Sequence, residues 1–205
     1  MTTDRIVWKG ATERLREDPA FGPLVERVGP VRLRPMRGTP FASLCASICY
    51  QQLAGKAALT IHGRFVAALK DDVTPKRVLA TNEETLRAAG LSRAKLAAIR
   101  DLAERTRSGE VPLDDLANMS DEEVIASLVR VRGVGVWTAQ MYLMFDLVRP
   151  DVWPTGDLGV RAGLGRVLGW KSAPTPQQME LMGVGYRPWR SAVAWYCWRA
   201  LEPID

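Results

Sequence analysis

Histidine is almost missing from this 205-residue chain, which carries only His62. A single imidazole leaves no histidine pair for a metal and gives no support to a Ser-His or Cys-His nucleophile system. His62 reads as an ordinary helix residue. The three cysteines, Cys45, Cys49 and Cys197, form no paired framework. The first two stand four apart on an apolar helical stretch, the pattern of buried thiols in a reducing compartment. No run approaches the roughly 18 apolar residues of a membrane span, and the N-terminus MTTDRIVWKG lacks the apolar core of a secretory signal. A soluble, intracellular protein with no membrane partner is expected, cytoplasmic and nucleoid-associated in a bacterium or nuclear in a eukaryote. Strand-type alternation, internal repeats and long biased linkers are also missing. The fold class is therefore all-α: one domain, or two lobes within it.

What the chain has is positive charge and helix signals. A net charge of +5 and a pI near 9.4 favour a polyanionic partner without requiring one. Helices are expected over Thr12–Glu17 and Pro19–Val28. The extended, basic stretch Val31–Arg37 follows, where Pro30, Pro35 and Pro40 exclude a continuous helix. The spacing of Phe41, Leu44, Cys45, Ile48 and Cys49 predicts a buried helix face within 41–54. A second helix over 56–69 offers Ala57, Leu59, Ile61, Phe65 and Leu69 to the core. Thr81–Glu84 and Ser120–Glu123 match capping boxes, and Ser92 caps Arg93–Arg107, so these acids have a structural task.

The most informative stretch is Leu128–Asp157, LVRVRGVGVWTAQMYLMFDLVRPDVWPTGD. Helical runs Asp121–Val129 and Trp137–Leu147 flank the turn Gly133-Val134-Gly135, where glycine at both places permits positive φ and close backbone approach. Val131, Val134 and Val136 should point inward. Gly135 precedes the second helix, so free amides of the turn and first helical residues form a positive concavity suited to a phosphate. Asp157 lies between Pro154, Gly156 and the helical run Leu158–Leu168, a natural N-cap position.

The segments GVGVWTA (133–139) and WPTGD (153–157) resemble the helix-hairpin-helix motif and trailing aspartate of the HhH-GPD DNA glycosylase superfamily. Within it, the likeness is to the 3-methyladenine DNA glycosylase II family. YQQLAGKAA (50–58) and YRPWRSAVAWYCW (186–198) extend the resemblance over roughly residues 41–198. It implies an all-α, two-lobed glycosylase fold, one lobe spanning 41–149 and the other 1–40 plus 150–205. An N-terminal sheet domain, found in one branch of the family, is not expected here.

The resemblance also implies roles. Asp157 would stabilise positive charge on the deoxyribose as the base departs, and would orient or deprotonate the attacking water. Asp146 and Asp151 are its nearby rivals. Trp137, Met141 and Trp198 would line a pocket for an extruded, positively charged base. Gly133, Gly135, Val136 and Thr138 would contact a DNA phosphate, while Gln51, Gln52 and Leu53 form a minor-groove corner. There Leu53 either fills the gap left by the flipped nucleotide or packs beneath the corner. Carbonyls of Val131 and Val134 would hold a sodium or potassium ion; no other cofactor is implied.

Two departures sharpen the expectation. Trp137 stands where lyase members carry a Schiff-base lysine, so base removal without strand cleavage is expected. The four-cysteine iron-sulfur signature of endonuclease III-like members is not matched, since only Cys197 lies near the C-terminus. The implied protein is a monomeric base excision repair enzyme acting on double-stranded DNA with alkylated purines. A non-catalytic damage-binding module, or a glycosylase for hypoxanthine, uracil or an oxidised purine, remains the alternative.

Overall fold

The computed structural model describes residues 5–33, 38–53 and 55–203. Arg34, Pro35, Met36 and Arg37 of the basic stretch, and Ala54 of the corner, lie outside the described residues. The architecture is helical, as expected. Along the chain run β1 (Arg5–Ile6), α1 (Lys9–Arg16), α2 (Gly22–Val28), β2 (Arg32–Leu33), α3 (Pro40–Tyr50), α4 (Gly55–Ala68), α5 (Pro75–Ala80) and α6 (Glu83–Ala88). They are followed by α7 (Arg93–Ser108), α8 (Asp121–Leu128), α9 (Val136–Phe145), α10 (Leu158–Val167), α11 (Pro176–Gly183) and α12 (Arg190–Ala200). The chain divides into two compact units, Met36–Tyr142 and Met1–Pro35 with Leu143–Asp205. The second division falls inside α9, and Phe145, just beyond it, stacks on Trp198 at 5.8 Å.

In the central unit, Phe41, Leu44, Cys45, Ile48 and Cys49 form the buried face of α3. Lys95 then closes the end of that helix by donating from Nζ to the Cys49 carbonyl at 2.7 Å. Burial pushes the Cys49 thiol up to about 12, against the lowering effect of Lys95. The inward face of α4 differs from expectation: Ala58, Phe65 and the following Leu69 are buried, whereas Ala57 and Leu59 face outward. A stripe through 58, 61–62, 65 and 69 follows the helical period, which residues 57 and 59 cannot share. His62 packs its ring near Tyr50, 5.9 Å between centroids, and partial burial lowers its pKa.

The caps of the central unit largely follow the sequence. Ser120 and Glu123 form the reciprocal capping box of α8, and Ser92 accepts from the Lys95 amide. At α6 the cap shifts by one residue. Asn82 accepts from the Glu84 amide, while the Thr81 hydroxyl donates to the Arg77 carbonyl, so Thr81 closes α5 instead of opening α6.

In the flanking unit a two-stranded antiparallel ribbon pairs Arg5 with Leu33 and Ile6 with Arg32. This is the structural use of the extended stretch, with Val31 and Leu33 buried and Arg32 exposed. The helix expected from Pro19 starts at Gly22, because the Asp18 carboxylate accepts from the Ala20 and Phe21 amides and holds a turn there. A 3-10 turn at Val184–Tyr186 and the Arg187–Pro188 bond precede α12.

The packing of α10 on α12 governs this unit. Gly159 and Gly163, four apart, face α12. A Cβ on Gly163 would overlap the Cys197 carbonyl, and one on Gly159 would lie 2.9 Å from the Trp198 ring. Their lack of side chains lets the helices approach closely. Cys197 is wholly buried, which pushes its thiol pKa well up.

Candidate nucleic-acid interface and active-site carboxylate

The hairpin joins α8 to α9 within the central unit. Gly133 adopts φ of +74°, the left-handed conformation the turn requires, whereas Gly135 is not among the positive-φ glycines. A Cβ on Gly135 would meet nothing within 4 Å, so its contribution is an uncovered surface before the helix. Val131 and Val134 are buried as expected, but Val136 is 53% exposed. Its position in the first turn of α9 turns it outward, beside amides that the helix ladder leaves without acceptors.

Two side chains from elsewhere in the unit grip this turn. Gln51 donates from Nε2 to the Gly133 carbonyl at 3.1 Å and approaches Thr138 Oγ1 at 3.4 Å. From α7, Asp101 accepts from the Arg132 amide at 2.7 Å and from Arg105 Nε at 2.9 Å. Partial burial raises the Asp101 pKa, but the Arg132 amide and Arg105 outweigh it and hold the carboxyl below its ordinary value.

A cavity of about 480 Å³ opens beside the hairpin, lined by Ser47, Tyr50, Gln51, Gln52, Gly133, Trp137, Thr138 and Met141. Trp137 and Met141 do share a face of α9, and Trp137 is 48% exposed. Gln52 occupies the left-handed region at φ of +55°, which makes the corner between α3 and α4 sharp. Leu53 is 38% exposed, so it is not packed away beneath that corner.

Asp157 belongs to the flanking unit and is only 8% exposed. It is the N-cap of α10, accepting from the Val160 amide at 2.7 Å. The Trp198 indole Nε1 donates to the same oxygen, Oδ1, at 3.1 Å. The cap role and a chemical role are thus compatible, because the cap fixes the carboxylate's direction. Trp198 belongs to the same unit as Asp157, where its nitrogen serves that carboxylate and its ring stacks on Phe145. The rivals of Asp157 have other surroundings. Asp151 is clamped by Arg190 at 2.7 Å and Arg187 at 3.0 Å, and Asp146 directly follows α9.

The loop leading to Asp157 is pinned from α12. Ser191 donates to the Arg149 carbonyl at 2.7 Å and accepts from the Val152 amide at 2.9 Å. Trp153 donates from its indole to the Met179 carbonyl at 2.7 Å. Sequence reasoning missed Asp101, Ser191 and the pair Gly159 and Gly163. Only the glycines had a signal, their spacing of four within α10 just after Asp157.

A helix-hairpin-helix turn followed by a capped, nearly buried aspartate defines a class. This chain belongs to the HhH-GPD superfamily of base excision DNA repair proteins, whose family profile matches residues 45–184. Two Schizosaccharomyces pombe proteins are similar over most of their length. The alkylbase DNA glycosidase-like protein mag2 is 31% identical, over 89% of this chain and 88% of its own. DNA-3-methyladenine glycosylase 1 is 34% identical, over 89% and 82%. The solved structure of S. pombe 3-methyladenine DNA glycosylase Mag1 in complex with abasic DNA superposes with a TM-score of 0.82, at 33% identity, covering 93% of this chain and 96% of that one.

Proposed function

We propose that this chain is a monofunctional DNA glycosylase that removes alkylated purines from double-stranded DNA and acts as a monomer. The observation that carries the reading is Asp157, fixed by two donors on one oxygen, in a chain whose relatives are named 3-methyladenine glycosylases. The hairpin amides at Gly135 and Val136 take a DNA phosphate. The damaged base enters the cavity against Trp137 and Met141, where an electron-rich indole face attracts a cationic purine. Leu53 enters the space the nucleotide vacates.

The reaction breaks the bond between C1′ and the base nitrogen. The electron pair leaves with the base and cancels its positive charge, so such a base needs no dedicated acid. Positive charge develops on the sugar, where the Asp157 carboxylate stabilises it electrostatically. Water then bonds to C1′ and loses a proton, with Asp157 orienting it or accepting that proton. Trp137 supplies no amine, so the sugar is not captured as a Schiff base and the strand stays intact.

The hairpin carbonyls of Val131 and Val134 are neutral, hard oxygen donors, a set that fits a sodium or potassium ion. Both residues are nearly buried, and the Val131 oxygen already accepts the Val134 amide at 3.0 Å. A cation held there would add positive potential near the bound phosphate.

The test is base release from methylated duplex DNA by wild type and Asp157→Asn, with strand breaks scored before and after alkali. Release of methylated purines by wild type alone, with breaks only after alkali, is expected. Binding without release by wild type would leave a damage-binding module, and equal release by the variant would remove Asp157 from the mechanism.

A further inference from the structure

We propose that Asp101 is a positioning residue for DNA binding: it fixes the hairpin turn through the Arg132 amide, and the wild-type chain accepts an acid beside a phosphate site for that reason. The inference rests on the hairpin being the phosphate-binding element and adds a residue on a different helix.

An acid and Arg105 four residues apart on a helix are by themselves an ordinary pair of small effect. The bond to Arg132 is different. It joins residues 31 apart in sequence at 2.7 Å, so it ties α7 to the hairpin and not to itself. Ala98, three residues earlier on the same face of α7, lies beneath Gly133, 3.5 Å from where a Cβ on that glycine would stand. Alanine supports the turn sterically and Asp101 supports it by accepting its amide. Arg105 aims the carboxylate, with Nε on Asp101 at 2.9 Å and a second nitrogen on Glu110 at 2.6 Å. Gln51 holds the next residue's carbonyl, that of Gly133. The turn is thus gripped through one N–H and one C=O, which fixes the peptide planes whose neighbouring amides face the ligand.

Charge alone argues the opposite. A carboxylate near a phosphate site weakens DNA binding by repulsion, so removing it should tighten binding. Geometry and charge therefore predict opposite signs, which makes the proposal easy to test. The full-length chain is compared with Asp101→Ala, Asp101→Asn and Asp101→Glu for affinity to an abasic-site duplex at two salt concentrations. Thermal melting of each variant and amide exchange at Arg132 are followed in parallel. Asp101→Asn keeps an acceptor at the same reach without the charge, whereas Asp101→Glu keeps the charge but displaces the oxygen.

Asp101→Ala is expected to weaken binding about tenfold and to speed exchange of the Arg132 amide, although it raises the net charge by one. Asp101→Asn should bind within about twofold of wild type or more tightly, and Asp101→Glu more weakly than Asp101→Asn. Should Asp101→Ala fail to fold, the order of the Asn and Glu variants decides the question. Tighter or unchanged binding by Asp101→Ala, or Glu outperforming Asn, overturns the proposal. A Gly133→Val control separates the two readings. If it weakens binding while the Asp101 variants do not, only the positioning role fails; if it too binds as wild type, the hairpin reading fails with it.

Discussion

The Trp198 indole nitrogen and the Val160 amide both donate to Oδ1 of Asp157, at 3.1 and 2.7 Å. Two donors on one oxygen orient the carboxylate about its Cβ–Cγ bond. Trp198 reaches that position because Gly159 and Gly163 leave no side chains between α10 and α12.

Trp198→Phe keeps a ring against Phe145 but removes the donor. A hydrogen bond to a charged group contributes about 1.5–3 kcal/mol. Single-turnover base release should therefore slow by roughly 10- to 100-fold, while duplex affinity stays within about twofold. In an Asp157→Asn background the same substitution should have little further effect. A full additional loss there would mean that Trp198 acts independently of Asp157.

Gly163→Ala would drive a methyl into the Cys197 carbonyl, a backbone atom that cannot swing aside. Overpacking of this kind costs about 1–3 kcal/mol or more. Its melting temperature should fall by several degrees, whereas Gly55→Ala, with open space around the new methyl, should melt close to wild type. Equal melting of the two variants would contradict the close crossing of α10 and α12.

Leu53→Ala changes an exposed side chain, so stability should move by no more than about 0.5 kcal/mol. If Leu53 holds the displaced nucleotide out of the helix, base release from duplex DNA should slow severalfold and release from single strands should not. Comparable rates on both substrates for variant and wild type would dismiss the wedge.

The Cys49 thiol is raised from 9.0 to about 12. The native state therefore keeps its proton where the unfolded chain loses it. The stability this provides is intact below about pH 9 and is lost as pH rises toward the native value, at up to ~1.4 kcal/mol per pH unit for one proton. Chemical denaturation from pH 8 to 10.5 should show that decline, and Cys49→Ala should lessen its slope by one proton's share, with Cys45 and Cys197, also raised by burial, keeping theirs. An unchanged slope in the variant would assign the decline to the other raised groups, Cys45, Cys197 and Tyr186, the last also raised to about 12 by burial.

Much of this arrangement was legible in the sequence because local signals agree with the tertiary outcome. The period of Phe41, Leu44, Cys45, Ile48 and Cys49 gave the face of α3, and Ser120 with Glu123 gave a cap that needs no distant partner. Gly133 was readable as a turn glycine and has the expected positive φ. Where choices were finely balanced, local pattern failed. The α4 residues 57 and 59 are as apolar as their neighbours but fall off the stripe, and Thr81 and Asn82 are rival caps one residue apart. The ribbon between Arg5–Ile6 and Arg32–Leu33 left no alternation to detect because each strand is only two residues long. Asp101 and Ser191 act on backbone groups 31 and 39 residues away, and no periodicity announces such pairings. Trp198 was singled out for its ring, yet what its position adds is a nitrogen beside Asp157.

The burial of Cys45, Cys49 and Cys197 has a chemical consequence. Sulfur reacts with methylating agents as the thiolate and must be accessible to them. All three thiols are enclosed and held protonated, so none is a ready target for the electrophiles that alkylate purines. A protein that repairs such lesions can then go on working under the exposure that creates them.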